Sequence, residues 1–230
     1  MPVIVAIAGP SGSGKTVLSN ALKNENNFSE LVSMTTRDPR KGEKDGIDYH
    51  FVSEDVFKEN ENKGLLIESV NYNGKYYGIP AIEVEKASEQ GKPAVVVVEP
   101  IGISNIEVYS KKNNWKYVTI FVNNPQDVLF DRLKNRYEQD KTNIDENAED
   151  AQEKLKKLHD TYLSRLSSVE KEQEEWVKPV LENKKHYSIV INSFNNENQQ
   201  EIIKGIVEKV NEIMQLDQIN VIKKKALKLK

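Results

Sequence analysis

The feature that most constrains this chain is the segment GPSGSGKT, which runs from Gly9 to Thr16 directly behind the apolar run at residues 3–8. It matches the pattern G-x-x-x-x-G-K-[ST] at every fixed position, and the residues after it favour a helix. Glycines let backbone N–H groups curl around a phosphate, lysine adds a positive charge, and threonine can hold Mg²⁺. We therefore predict a triphosphate-binding loop between a buried strand and a helix, formed by Gly9, Ser11, Gly12, Ser13, Gly14, Lys15 and Thr16.

The composition limits the class of protein. The chain has 230 residues, of which 37% are hydrophobic and 30% are charged, as expected for one sizeable folded domain. The net charge of −3 argues against a dedicated nucleic-acid binder, and the absence of cysteine excludes disulfides and thiolate metal sites. Without a recognisable signal peptide or a membrane-length apolar run, we expect a cytoplasmic protein with neither a nucleic acid nor a membrane as partner.

Four short apolar runs predict the strands of a parallel sheet, at residues 3–8, 94–98, 117–122 and 187–191. Helical patterns lie around residues 16–24, 80–90, 125–137 and 197–215. Strands that alternate with helices indicate an α/β fold of the kind found in nucleotide-binding proteins with such a loop.

Two regions interrupt this alternation. Turn residues such as Asp45-Gly46 and Asn73-Gly74 predict a small antiparallel insert, whereas the Glu/Lys-rich stretch that follows the third strand and its helix predicts long, exposed helices. We interpret the chain as one domain with a core at 1–32, 81–137 and 186–216, an insert at 33–80, a lid and charged helical arm at 138–185, and a Lys-rich tail at 217–230.

A second pattern follows the phosphate-binding loop. Arg37 and Arg40 lie three residues apart, with Ser33 before them and Tyr49 after them, and arginine forks match phosphate oxygens in pairs. This segment resembles the guanylate kinase family, whose monophosphate-binding region reads S-x-T-T-R-x-P-R-x-G-E-x-x-G-x-x-Y-x-F. Every fixed position is present between Ser33 and Phe51.

Two later segments extend the resemblance. Glu68 followed by GKYYG at residues 74–78 is similar to the family's E…G-x-Y-Y-G element, and RLKNR at residues 132–136 is similar to its lid entry. The resemblance covers about residues 3–137, and more loosely residues 187–191 and the final helix.

The resemblance implies ATP-dependent phosphorylation of GMP or dGMP, with Mg²⁺, by a monomer or homodimer. It implies that Glu68 recognises the base and that Thr16 and Glu99 serve the metal ion. Phosphoryl transfer would depend on Lys15, Arg37, Arg132 and Arg136. The acceptor's phosphate would be held by Ser33, Arg37, Arg40, Tyr49 and Tyr77.

Three departures from the family pattern leave alternatives open. Ile79 replaces a small hydroxyl residue that contacts guanine, and Val97 replaces the first acid of D-x-D-x-x-G, whose second acid is Glu99 here. The distal lid arginine falls on Asn147, so Arg165 or Lys141 would have to substitute for it. The alternatives are a kinase for another nucleoside monophosphate or a phosphorylated sugar, or a non-catalytic binding module. The intact loop around Lys15 favours an enzyme.

Overall fold

The computed structural model describes residues 1–39, 43–72, 74–145, 150–182, 185 and 187–227, without the side chains of Tyr72 and of residues 216–227. Arg40, Asn147 and the last three residues of the Lys-rich tail therefore lie outside the described residues.

The described elements are nine strands, eight α-helices and one π-helical turn. In chain order they are β1 (Val3–Ala8), α1 (Lys15–Asn26), β2 (Ser29–Glu30), β3 (Met34–Thr35), β4 (His50–Phe51), α2 (Glu54–Asn62), β5 (Leu66–Tyr72), β6 (Lys75–Pro80), α3 (Ala81–Glu89), β7 (Ala94–Val97), α4 (Pro100–Lys112), β8 (Lys116–Val122), α5 (Gln126–Thr142), α6 (Ala151–Glu172), the π-helical turn (Gln173–Val177), α7 (Lys178–Leu181), β9 (Ile189–Ile191) and α8 (Gln199–Leu227).

A five-stranded sheet in the order β2-β7-β1-β8-β9 forms the centre of the fold, and all its strand pairs are parallel. In β1, Ile4 pairs with Ala94 on one side and with Tyr117 on the other. The predicted α/β class with a parallel sheet flanked by helices is confirmed.

Both faces of this sheet are buried, which explains why its strands are almost continuously apolar. Alternate residues of β1 point to opposite faces. Ile4 belongs to a hydrophobic cluster that includes Ile103 and Ile106 of α4. Val5 belongs to the cluster on the other face, which includes Leu18 of α1 and residues of α8.

A second sheet, in the order β4-β3-β6-β5, forms the insert. The expected antiparallel arrangement holds for β3–β6 and β5–β6, but β3 and β4 pair in parallel, so the insert is mixed. The parallel pair arises because a long loop, rather than a tight turn, joins β3 to β4. Helix α2 was not predicted; its Phe57 is fully buried and stacks on Tyr76 at 5.4 Å.

The charged region after β8 is helical, as expected, but it is exposed only in part. Helices α5 and α6 form a hairpin around a small cluster of Leu129, Leu133 and Val169. Beyond it, Val177 and Val180 are buried against the central sheet. The end of the arm is therefore attached to the core, which the Glu/Lys-rich sequence did not reveal. No helix within the described part of the chain has the length and apolarity needed to cross a bilayer.

Helix α8 supplies a testable part of the core, because Ile206 is only 1% exposed in the cluster beneath α1. We expect Ile206→Ala to lower the free energy of unfolding by about 2–5 kcal/mol, since it removes buried methyl groups and leaves a cavity. Urea titration measures this change. Val108→Ala, at a side chain that is 68% exposed, is the control and should change stability by less than about 0.5 kcal/mol. Equal effects of the two changes would contradict this packing.

Candidate active site

The loop between β1 and α1 has a backbone that glycine alone adopts easily. Gly9, Gly12 and Gly14 have φ angles of 146°, 80° and 102°. A Cβ on Gly9 would also lie 2.0 Å from the carbonyl oxygen of Val122, at the end of β8. The glycines of the motif are thus required both by backbone conformation and by the close approach of loop and strand.

Lys15 begins α1 and folds back over the loop, where its Nζ donates to the carbonyls of Gly9 at 2.7 Å and Pro10 at 2.8 Å. Burial lowers the pKa of Lys15 to about 8, against the opposing effect of Glu172 and then Glu99. Ser11 N–H donates to Glu172 Oε2 at 2.8 Å. The lysine therefore stays mostly charged at neutral pH, in a region that also contains two carboxylates.

A cavity of about 320 Å³ opens beside the loop. One residue, Asn124, joins the loop to the segment after β9: its Nδ2 donates to Ser13 O at 2.8 Å, and its Oδ1 accepts from Phe194 N–H at 3.0 Å. The sequence motif did not identify this second wall of the cavity, which is formed by Phe194 and the residues after it. Polar residues just beyond two predicted strands could have indicated it. The lining residues outside the motif are Val17, Arg132, Leu133, Arg136, Phe194, Asn195, Asn196 and Gln199.

The arginines predicted to act on phosphates have different surroundings. Arg132 lines the cavity, but its guanidinium donates to the carbonyls of Gly12 at 3.2 Å, Ser13 at 3.3 Å and Phe194. Arg132 therefore ties the loop to the second wall in this state.

Arg136 lines the same cavity and is 63% exposed, and its Nε lies 3.7 Å from Asp140 Oδ2. Arg165 of α6 has its pKa lowered by burial and then by the positive charge of Arg136. The α5–α6 hairpin thus brings Arg165 close to Arg136, and its predicted role in place of the distal lid arginine stays a prediction.

A second cavity, of about 370 Å³, lies between the insert and the end of β7. It contains three predicted residues, Ser33, Glu68 and Tyr77, together with Glu99. Asn71 also lines it and was not predicted. The remaining walls are mainly apolar and are formed by Val70, Gly78, Ile79, Val97 and Val98.

Glu68 is the carboxylate enclosed in this second cavity. Burial, followed by the charge of Glu99, raises its pKa to about 7. A Cβ on Gly102 of α4 would lie 2.5 Å from Glu68 Oε1 and 2.6 Å from Oε2. The carboxylate thus packs directly on the backbone of the first turn of α4, and the missing side chain at residue 102 makes room for it.

Arg37 lies at the edge of the insert, where its guanidinium faces the rings of Tyr49 and Phe51 at 5.4 and 5.6 Å. It donates to Glu43 Oε1 at 2.9 Å, and this bond, with a further contribution from Tyr77, raises the pKa of Arg37. Three predicted monophosphate residues, Arg37, Tyr49 and Tyr77, are therefore grouped. The role predicted for Arg40 lies outside the described residues.

Glu99 is close to both regions. It stands just beyond β7, lines the second cavity, and its charge acts on Lys15 as well as on Glu68. Lys15 of the phosphate-binding loop and Glu68 of the second cavity are thus both within electrostatic range of one exposed carboxylate. Among the described residues, no group of three or more His, Cys, Asp or Glu side chains forms a ready metal site.

The geometry agrees with comparisons to known proteins. The profile described as "Guanylate kinase" matches residues 1–184. The chain belongs to the guanylate kinase family.

The chain is similar to several guanylate kinases. That of Onion yellows phytoplasma is 34% identical over 145 residues, which cover 62% of this chain and 67% of the relative. That of Chlamydia felis is 36% identical, over 59% of this chain and 66% of the relative. That of Corynebacterium efficiens is also 36% identical, over 66% of this chain and 80% of the relative. The chain thus spans about two thirds of the length of the first two relatives.

A solved structure supports the fold separately. The guanylate kinase of Anaplasma phagocytophilum has a TM-score of 0.53 and is 22% identical, over 94% of this chain and 86% of its own. At that identity the likeness concerns the fold alone.

The contact between Gly102 and Glu68 can be tested directly. Gly102→Ala should push the carboxylate toward solvent, so we expect the Glu68 pKa to fall from about 7 toward the ordinary glutamate value. Carboxyl-carbon NMR titration measures it. Gly205→Ala is the matched control, because nothing lies within 4 Å of its added Cβ in α8. A Glu68 titration that is the same in both variants would show that Gly102 does not position this carboxylate.

Proposed function

We propose that this protein transfers the terminal phosphoryl group of ATP to GMP or dGMP. The observation that carries the proposal is the proximity of the two regions: Glu99 lines the Glu68 cavity, and its charge also acts on Lys15 of the phosphate-binding loop. One cavity has the features of a triphosphate site, and the other has one enclosed carboxylate for a base and a neighbouring Arg–Tyr group for a phosphate.

The base is chosen by hydrogen bonding. Guanine presents two adjacent donors, N1–H and the N2 amino group, and the ionised Glu68 carboxylate can accept from both. Adenine has an acceptor at N1 and would leave the buried carboxylate unpaired. A site built around such a bond rejects the mismatched analogue by about 10⁴ or more.

Phosphoryl transfer requires positioning and charge stabilisation more than covalent chemistry by the protein. Lys15, Arg37, Arg132 and Arg136 are proposed to surround the transferred group, and Ser11, Gly12, Ser13 and Gly14 to hold the donor through backbone N–H groups. The acceptor is already an ionised phosphate oxygen, so no general base is needed. Arg132 now donates to backbone carbonyls, so its role requires those bonds to be exchanged for phosphate oxygens.

Mg²⁺ fits this set of residues. Magnesium usually keeps several waters and is bound by one or two protein oxygens and by substrate phosphates, so a ready protein cage is not expected. We propose that the Thr16 hydroxyl and Glu99, directly or through water, hold the ion. When bound, it neutralises charge on the phosphate oxygens.

A second candidate is a kinase for another nucleoside monophosphate, because Ile79 and Val97 give the acceptor cavity two apolar walls. Such walls contribute no hydrogen bond to guanine. An assay of ADP formation with GMP, dGMP, AMP, CMP and dTMP separates the two candidates. We expect turnover of GMP or dGMP to exceed the others by at least about a hundredfold, and equal turnover of AMP, CMP or dTMP would reject guanine selectivity.

The same assay tests catalysis. Lys15→Ala should lower turnover by about a thousandfold or more, because the lysine stabilises charge on the transferring group. Lys23→Ala is the control, since Lys23 lies on the far end of α1 and is 45% exposed in a surface ion pair with Glu30. Turnover that survives Lys15→Ala unchanged would contradict the role given to Lys15, whereas an unmodified protein without turnover on any of these acceptors would support a non-catalytic binding module.

The raised pKa of Glu68 predicts a pH dependence. Guanine binds the ionised carboxylate, and with a pKa of about 7 most of Glu68 is protonated at pH 6. The Michaelis constant for GMP should therefore fall about tenfold between pH 6 and pH 8. Glu68→Gln controls for titration of GMP itself. This variant should bind GMP weakly and discriminate less against AMP, and its Michaelis constant should lack the tenfold change that is due to Glu68. A pH profile shared by both proteins would remove Glu68 from the base site.

The proposal also includes a cytoplasmic location, a monomeric or homodimeric state and no nucleic-acid partner. It assigns the central sheet to ATP, residues 33–80 to the monophosphate and residues 138–185 to a lid and arm. Sedimentation of the purified chain tests the oligomeric state.

A further inference from the structure

Glu172 makes a contact that the proposed reaction does not use. Ser11 N–H, which belongs to the phosphate-binding loop, donates to Glu172 Oε2 at 2.8 Å across 161 residues of sequence. The N–H groups of such a loop bind anionic oxygens of a nucleotide. In this state, one of those oxygens is supplied by the protein itself.

The position of the Glu172 carboxylate depends on packed residues both before and after it in the sequence. Glu172 is the last residue of α6, and the rare π-helical turn begins directly after it. Val169, three residues before it, packs in the α5–α6 cluster, and Val177, five residues after it, packs against the central sheet. Such π-helical turns occur frequently at functional sites. The position of Glu172 over the loop is therefore fixed by two separate packed contacts.

The electrostatic surroundings make this placement unfavourable without a specific partner. Burial raises the pKa of Glu172, and Glu99 raises it further, while the Ser11 N–H bond and Lys15 oppose both. Within the described residues, Ser13 Oγ and the adjacent Gln173 Nε2 are buried without a hydrogen-bond partner. Among these atoms, Ser13 Oγ belongs to the loop itself, so a polar group of the loop is left without a partner in the same state in which Ser11 N–H is bound to Glu172.

The position of Ser11 in the loop indicates which phosphate of a nucleotide its N–H would contact. Gly12, Gly14, Lys15 and Thr16 line the cavity that also contains Phe194 and Asn195, whereas the Glu172 charge interacts with Glu99 at the acceptor cavity. A triphosphate that runs from the first cavity toward the second would reach Ser11 with its last group.

We propose, on the basis of the function given above, that Glu172 occupies the place of the terminal phosphate of ATP when no nucleotide is bound. ATP has to displace the carboxylate, while ADP, which lacks the third phosphate, leaves it where it is. Glu172 therefore sets the relative affinity for the two nucleotides. After transfer the third phosphate has left the loop, so Glu172 can return to Ser11 N–H while ADP is still bound.

Glu172→Gln tests the proposal, because glutamine can still accept from Ser11 N–H but lacks the charge. Calorimetric titration with Mg²⁺ and no acceptor should show ATP binding about tenfold more tightly than to the unmodified protein. Binding of ADP should change less than about twofold. Glu170→Gln removes the same charge from an exposed position on the same helix and should alter neither affinity.

Glu172→Ala provides the second variant, and it should also strengthen ATP more than ADP. Equal changes for ATP and ADP, no change, or weaker ATP binding in both variants would overturn the proposal; weaker ATP binding would mean that Glu172 assists the nucleotide or its metal ion. These titrations contain no monophosphate. Failure to phosphorylate GMP would therefore reject the proposed acceptor and leave the ATP–ADP comparison intact.

Discussion

The parallel pairing of β1 with β7 and β8 is the constraint on which the site depends. Parallel strands end at the same edge of a sheet, and ligands of such sheets bind outside their carboxyl ends. Here Gly9 follows β1, Glu99 follows β7, Asn124 follows β8 and Phe194 follows β9. The parallel pairing of the strands therefore brings together residues that are far apart in sequence, and burial of both sheet faces stabilises that pairing.

The charges at this edge are unbalanced in the free protein. Three carboxylates, Glu68, Glu99 and Glu172, influence one another or Lys15, and burial raises the pKa of Glu68 and Glu172. Each is compensated differently: Glu172 by a backbone donor, Glu99 by exposure to solvent, and Glu68 by partial protonation near neutral pH. Under the proposed assignments, substrates would change all three conditions, because guanine would supply donors to Glu68 and Mg²⁺–ATP would bring both positive and negative charge. Binding and electrostatics are thus coupled in this cleft.

Much of this arrangement could be predicted from sequence, because it depends on local patterns. The loop from Gly9 to Thr16 requires particular φ angles, and those requirements appear directly as glycines. The four strands of the main sheet, other than the two-residue β2, were recognisable from apolar runs. Helix α4 was not predicted, although Pro100 stands in its first turn, where proline is favoured; Gly102 in the same turn makes room for Glu68.

The parts that sequence did not reveal depend on contacts between distant elements. Asn124 was unremarked because its two hydrogen bonds join Ser13 to Phe194, residues 181 positions apart. Glu172 belonged to a charge-rich helix and looked like its neighbours, yet its orientation is set by Val169 and Val177 on separate clusters. A helical period can show which face of a helix is apolar, but not which single charge on its other face meets a loop.

The surroundings of Ile79 and Val97 show what these two departures from the family pattern change in the acceptor cavity. Ile79 is 4% exposed and packs with the central core while it also lines the acceptor cavity, so the insert and the sheet share its side chain. A hydroxyl residue there would bring a hydrogen bond to the base but would weaken that packing. Val97 is 37% exposed at the mouth of the same cavity and has no such role in the core. Since an apolar wall cannot distinguish bases by hydrogen bonds, the proposed selection of guanine would rest more heavily on Glu68, and hence on Gly102 and on the ionisation state of the Glu68 carboxyl.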